Sequence, residues 1–176
     1  IFYLIHDIMV KTNLFLIAGV VRQLRGTMDM NKLGGLYAQY PKISLLFALV
    51  LFSLVGIPPL SGFWPKIYLF RDAFQLEKYA FAGALIIGSF ITLFVIAKMW
   101  AQVFWKDAPD PEIVEDKFAD MVGYKKTMLI LPVIILASAS LYIGLNAEAI
   151  IHVADQIATQ LLDTSPYINA VLGGQK

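Results

Sequence analysis

Between Tyr79 and Ala97 lie nineteen consecutive residues without a charged side chain, and between Thr127 and Leu145 nineteen more. Each run matches the roughly 20 apolar residues that a helix needs to cross a bilayer core about 30 Å thick. The rest of the composition follows the same logic. Hydrophobic residues make up 59% of the 176 and charged residues 15%, and the mean hydropathy is +0.69. Fourteen Lys and Arg against thirteen Asp and Glu leave a net charge of +1, too little basic excess for a nucleic-acid partner. With no cysteine, disulfides, thiolate zinc sites and cysteine-ligated iron–sulfur clusters within the chain are excluded. What remains is an all-α integral membrane protein.

Five transmembrane segments are expected. The first is Ile1–Val21, interrupted by His6, Asp7 and Lys11, and is followed by a polar loop over 22–42 in which Leu33–Leu36 reads as a turn. Ile43–Gly56 comes next, then Leu60–Phe70, a segment expected to be broken by Pro65; Tyr79–Ala97 and Thr127–Leu145 complete the set. Two further stretches read as amphipathic. Asp110-Pro111-Glu112 is a helix-start signal, with Val114, Phe118, Met121 and Val122 on one face. After Asn146 a helix places Ile150, Val153, Ala154, Ile157, Ala158 and Leu161 on one side, with Pro166 expected to end it. Its other side carries Glu148, Asp155, Gln156 and Asp163, an acidic face that suits a protein subunit at least as well as anionic lipid. The expected architecture is thus a polytopic membrane region over 1–145, with one discontinuous helix, and an amphipathic tail over 146–176. The chain opens in mid-hydrophobic sequence with no basic region or cleavage site, which reads as a piece of a longer polypeptide. Seven Lys or Arg on one set of loops against five on the other leave the orientation open.

Charges inside apolar segments are the functional candidates, because each costs ~2.5–3.5 kcal/mol at a helix centre on insertion scales. Lys66 follows Pro58, Pro59, Gly62 and Pro65. A break there leaves carbonyls without helical partners, tolerable at membrane depth only beside protein or water. An amine in such a pocket can take up and release a proton; the competing reading is a short loop with Lys66 reaching the interface. Asp7 and Lys11 sit at i, i+4 and can pair on one face. His6 is adjacent, and Asn13, seven residues on, extends the polar character. Lys98, ending the long uncharged run, reads either as a weaker site or as an interfacial lysine, and His152 as a solvated residue. Only these two histidines exist, and there is no phosphate loop, HExxH or G-x-S-x-G, so neither a cofactor nor a metal is expected. No oxygen-rich sodium site is evident.

The run His6–Gly19 (HDIMVKTNLFLIAG) resembles a helix of the antiporter-like subunits of Mrp cation/proton antiporters and respiratory complex I, as does Leu54–Lys66 (LVGIPPLSGFWPK). With Gly26-Thr27, LGGLY at Leu33–Tyr37, Lys98-Met99-Trp100 and Pro166–Gly173 in the same order, the chain is similar to the C-terminal part of the D-type subunit of Mrp sodium/proton antiporters. A lysine rather than a glutamate in the interrupted helix favours that subunit over its complex I counterpart. The resemblance implies inverted repeats with discontinuous helices and a multi-pass subunit of a bacterial cell membrane. It implies partner subunits, and protons and sodium ions as cargo, in a transporter rather than an enzyme. It also implies a proton relay through Lys66 and Lys11 with His6 beside them, and Lys98 as a weaker member; Asp7 has no place in the family pattern and is a weaker candidate only through its pairing with Lys11, which would hold that lysine charged. Two alternatives stay open: a membrane-arm subunit of a complex I-like or hydrogenase-linked oxidoreductase, and a structural membrane subunit.

Overall fold

A computed structural model describes residues 1–107, 118, 121–163 and 165–172. All regular structure among them is helical. Helix α1 runs Phe2–Arg25, some 36 Å at 1.5 Å per residue, so His6, Asp7 and Lys11 lie within one continuous helix. A 3-10 turn (Met30–Lys32) and the one-turn α2 (Leu36–Gln39) lead into α3 (Pro41–Val55). After a non-helical break comes α4 (Phe63–Gln75), then α5 (Tyr79–Trp100), which ends in a π-helical turn over Ala101–Trp105. Helix α6 (Gly123–Leu145) is followed by α7 (Ala147–Leu162) and α8 (Ser165–Leu172). Among the described residues three helices, α1, α5 with its π turn, and α6, are long and apolar enough to cross a membrane. The other two expected segments are half-length, at 15 and 13 residues, about 22 and 20 Å, and flank the break.

The core sits where α1 meets α6 and α3. Val10, Ile17, Val20 and Leu24, at steps of seven, three and four residues along α1, lie on one face and pack with Val133 and Ala137 of α6 and Phe47 and Val50 of α3. Helix α5 packs against α3 and α4 on one side and leaves Ile87, Phe90, Ile91 and Phe94 exposed on the other, as a lipid- or subunit-facing helix does. Helix α7 buries Ala147 and Ala154 against Phe2 and Trp64. Val153, Ile157 and Leu161 from its expected apolar side stay exposed.

Three expectations need correction. Pro65 does not break a helix: it lies in the first turn of α4, where its missing N–H is one that a helix leaves unpaired anyway. The break is the stretch before it, residues 56–62. Pro166 likewise sits in the first turn of α8, and α7 ends earlier, at Leu162, where Asp163 Oδ1 accepts from the Ser165 N–H at 3.0 Å. The Leu33–Leu36 turn is also more than a turn. Gly34 O accepts from Arg25 Nη2 at 2.7 Å and the Gly35 N–H donates to Lys106 O at 2.6 Å, tying the ends of α1 and α5 together. The surface helix expected from Asp110 lies largely outside the described residues.

Candidate functional site

Lys66 belongs to the second turn of α4 and is aimed back across the break. Its Nζ donates to Val55 O at 2.6 Å and Leu54 O at 3.2 Å. These are C-terminal carbonyls of α3, which lack helical partners and carry the negative end of the helix dipole. Gly56 permits the approach. Its φ of 92° is the left-handed conformation that glycine adopts without penalty, and a Cβ there would stand 3.2 Å from Lys66 Nζ. The half-buried amine is held by backbone at the break.

Lys66 opens onto a cavity of about 320 Å³ between α1, α4 and α5, also lined by Tyr3, Asp7, Lys11, Ser89 and Thr92. The expected ion pair lies on its wall, with Lys11 Nζ 2.8 Å from Asp7 Oδ2. Three of the sequence-derived candidates, separated by up to 59 positions, thus share one polar space. Lys11 is not buried in this chain. Its side chain is 59% exposed and that of Asp7 24%, because the i, i+4 pair falls on the outer side of α1. Lys98 does not join them: it is exposed near the end of α5 and lines no part of this cavity. His152 is exposed on α7.

His6 faces the other way, into the protein, at 3% exposure. Its Nδ1 lies 2.8 Å from Ser61 Oγ in the break. Ser61 in turn meets Ser53 of α3 at 3.1 Å and Ser140 of α6 at 2.8 Å, and those two meet each other at 2.7 Å. Four segments of chain converge on this buried polar cluster. Sequence reasoning missed Ser53, Ser140 and Gly144. The available signal was Ser140 and Gly144, small residues at i, i+4 on a membrane helix, which let a neighbouring backbone come close. Here that neighbour is the break: Gly144 O accepts from Trp64 Nε1 at 2.8 Å, and a Cβ on Gly144 would overlap the backbone of Pro59 to Ser61. Between oxygens 2.7–3.1 Å apart there is no room for a cation; the serines are bonded to one another.

Asn13 shares the buried face of α1 with His6 and is 1% exposed. Its Nδ2 donates to Val133 O at a long 3.3 Å, while Oδ1 has no partner among the described residues. A buried polar atom left unpaired costs about 1–3 kcal/mol. Asn13→Leu is therefore expected to raise the melting temperature of the detergent-solubilised protein; a lower one would show that Asn13 is satisfied.

The family described as NADH:quinone oxidoreductase/Mrp antiporter, transmembrane, matches residues 1–92, more than half of the chain and all of α1, the break and the Lys66 pocket. The chain belongs to this family. Relatives in it include the D-type subunit of the Na(+)/H(+) antiporter of Alkalihalophilus pseudofirmus, 36% identical over 98% of this chain. That of Bacillus subtilis is 34% identical over 98%. The chain spans 34% of the length of each. A solved structure of the Mrp complex from Dietzia sp. contains a chain with the same fold, at a TM-score of 0.81 and 26% identity. The match covers 97% of this chain and 39% of that one.

Proposed function

We propose that this chain is the C-terminal part of a D-type subunit of a multisubunit sodium/proton antiporter in a bacterial membrane, and that it carries one stretch of the proton path. It acts as a transporter subunit rather than an enzyme, with 1–145 as its transmembrane part and the 146–176 tail facing another subunit. The observation that carries the reading is the placement of Lys66 Nζ on the free carbonyls of α3, at the wall of a polar cavity that also holds the Asp7–Lys11 pair. An amine held by neutral carbonyls can exchange a proton with any water that enters the cavity without breaking a fixed ion pair. Lys11 is the next basic group along the cavity, its charge set by Asp7, and His6 faces the same break from the protein side. The cargo assignment rests on the relatives, which are themselves Na(+)/H(+) antiporter subunits.

The test is sodium-induced proton movement in everted vesicles lacking native antiporters, with the full-length protein and its partner subunits. Lys66→Ala and Lys11→Ala are each expected to abolish exchange in complexes that assemble normally. Retained exchange in both would remove the lysines from the path. A second reading is favoured by the breadth of the family, which joins NADH:quinone oxidoreductase to the Mrp antiporter: a membrane-arm subunit of a redox-driven pump. Proton movement driven by NADH or quinone chemistry, with no response to sodium, would select it.

A further inference from the structure

Helix α5 is uncharged from Tyr79 to Ala97, and beyond Tyr79 its only hydroxyls in that run are those of Ser89 and Thr92. With Leu85 and Gly88 these two form a stripe at i, i+3, i+4 and i+7. That stripe is the α5 wall of the cavity onto which Lys66, Asp7 and Lys11 open. The other side of the helix carries Ile87, Phe90, Ile91 and Phe94, all exposed. The two hydroxyls differ. Thr92 Oγ1 donates to Gly88 O at 2.8 Å, one turn back along its own helix, as hydroxyls on apolar helices commonly do. A hydroxyl has one hydrogen, so Thr92 presents the cavity with lone pairs alone. Ser89 has the Leu85 carbonyl in the equivalent position and does not bond it: its Oγ has no hydrogen-bonded partner among the described residues. The half-buried Ser89 therefore offers the cavity both a hydrogen and two acceptor sites. Tyr3 brings a further hydroxyl, but on α1, the wall that already carries Asp7 and Lys11.

We infer that Ser89 is a further proton-handling residue: its hydroxyl passes the proton between Lys66 on α4 and the Asp7–Lys11 pair on α1, and Thr92 does not. This rests on the relay reading of Lys66 and Lys11 and adds the residue on the third wall. The chemistry calls for such a group. Lys11 Nζ sits 2.8 Å from Asp7 Oδ2, and a charged ammonium has hydrogens to give but no lone pair to receive one. It cannot take a proton from a second ammonium at Lys66. A neutral hydroxyl both accepts and donates. In the step, an N–H bond of Lys66 breaks and an O–H bond forms at a lone pair of Ser89 Oγ. The O–H bond that Ser89 held before breaks, and its proton passes to the Asp7 carboxylate, directly or over cavity water. Lys66 is left as a neutral amine and Asp7 as a carboxylic acid, so the net charge of the cavity is unchanged. Ser89 keeps one hydrogen throughout and must turn it back toward Asp7 before the next transfer. A hydrogen free of the helix can turn. The hydrogen of Thr92, held on Gly88 O, would have to break that bond at every cycle.

The experiment compares Ser89→Ala, Thr92→Val and Lys66→Ala in everted vesicles lacking native antiporters, using the full-length protein assembled with its partner subunits. Ser89→Ala removes a hydroxyl that no described protein group bonds, so its melting temperature should match the wild type. Its maximal rate of sodium-induced proton movement should fall about tenfold or more. The sodium concentration giving half that rate should stay unchanged, because the loss slows proton transfer and leaves cation binding alone. Thr92→Val should exchange at close to the wild-type rate. Full exchange in Ser89→Ala, or an equal fall in Thr92→Val, overturns the inference, and loss of exchange in Lys66→Ala then leaves the relay reading standing. Retained exchange in Lys66→Ala removes the relay reading and this inference with it. Ser89→Cys supplies a readout independent of turnover, and covers an alanine variant that fails to assemble. The chain has no other cysteine, and methyl methanethiosulfonate attacks the thiolate, which is suppressed in apolar surroundings. Modification at position 89 in the assembled complex, with loss of exchange, is the expected result. A thiol that stays unmodified would show Ser89 sealed from cavity water and overturn the inference.

Discussion

Gly144→Ala and Gly83→Ala, the same chemical change on two membrane helices, are expected to move stability in opposite directions. An added methyl at Gly83 meets nothing within 4 Å, so only the intrinsic preference of a helix for alanine operates, a gain of about 0.5–1 kcal/mol. At Gly144 the same methyl would stand 2.7 Å from Leu60 C and 2.8 Å from Ser61 N and overlap the Pro59 carbonyl. Those neighbours are backbone and cannot rotate aside, so α6 or the break must move. Overpacking of this kind costs about 1–3 kcal/mol, which outweighs the helix gain. The damage should not stop at stability. Ser140 lies one turn below Gly144 and is bonded to Ser61 at 2.8 Å, while Trp64 is anchored on the Gly144 carbonyl. Displacing the break therefore pulls Ser61 from its ring and Lys66 from the α3 carbonyls together. Thermal unfolding of the purified full-length protein should show a lower melting temperature for Gly144→Ala and a higher one for Gly83→Ala, with sodium/proton exchange reduced only in the former. Equal melting temperatures would mean that the break does not rest on α6.

What the sequence made legible divides along the same line. The uncharged runs located α5 and α6 within four residues at each end, because crossing a bilayer is a constraint on contiguous residues. The Asp7–Lys11 pair followed from i, i+4 spacing, which is also local. Pro58 and Pro59 marked the break, whereas Pro65 misled: a proline stops a helix from its interior but not from its first turn, and only the structure says where the turn begins. The partners of His6 were beyond reach. Ser61 is 55 positions away and Ser140 a further 79, and a serine in an apolar run bears no mark of what it will face. Similarly, the i, i+4 pair was readable but its side of the helix was not, so Lys11 proved exposed and His6 buried.

Lys66 offers a sharper separation of fold from function. In Lys66→Met the hydrogen bonds to Leu54 O and Val55 O are lost, at about 1.5–3 kcal/mol for bonds to a charged group. Removing the charge from a membrane segment returns ~2.5–3.5 kcal/mol on insertion scales. The freed carbonyls border a cavity of about 320 Å³ with a mixed polar and apolar lining, where water can take the place of the amine. Folding stability should therefore stay near that of the wild type. Exchange should not: a positioned proton carrier is worth at least about a hundredfold in rate, and methionine carries none. Lys66→Arg then asks which property of lysine matters. Arginine keeps the charge and can still donate to both carbonyls, but it does not release its proton in proteins. If Lys66 carries the proton, both variants lose exchange in assembled complexes of near-normal melting temperature. Exchange retained by arginine and lost by methionine would instead make Lys66 a fixed charge, and the mobile proton would have to pass by Lys11 or His6.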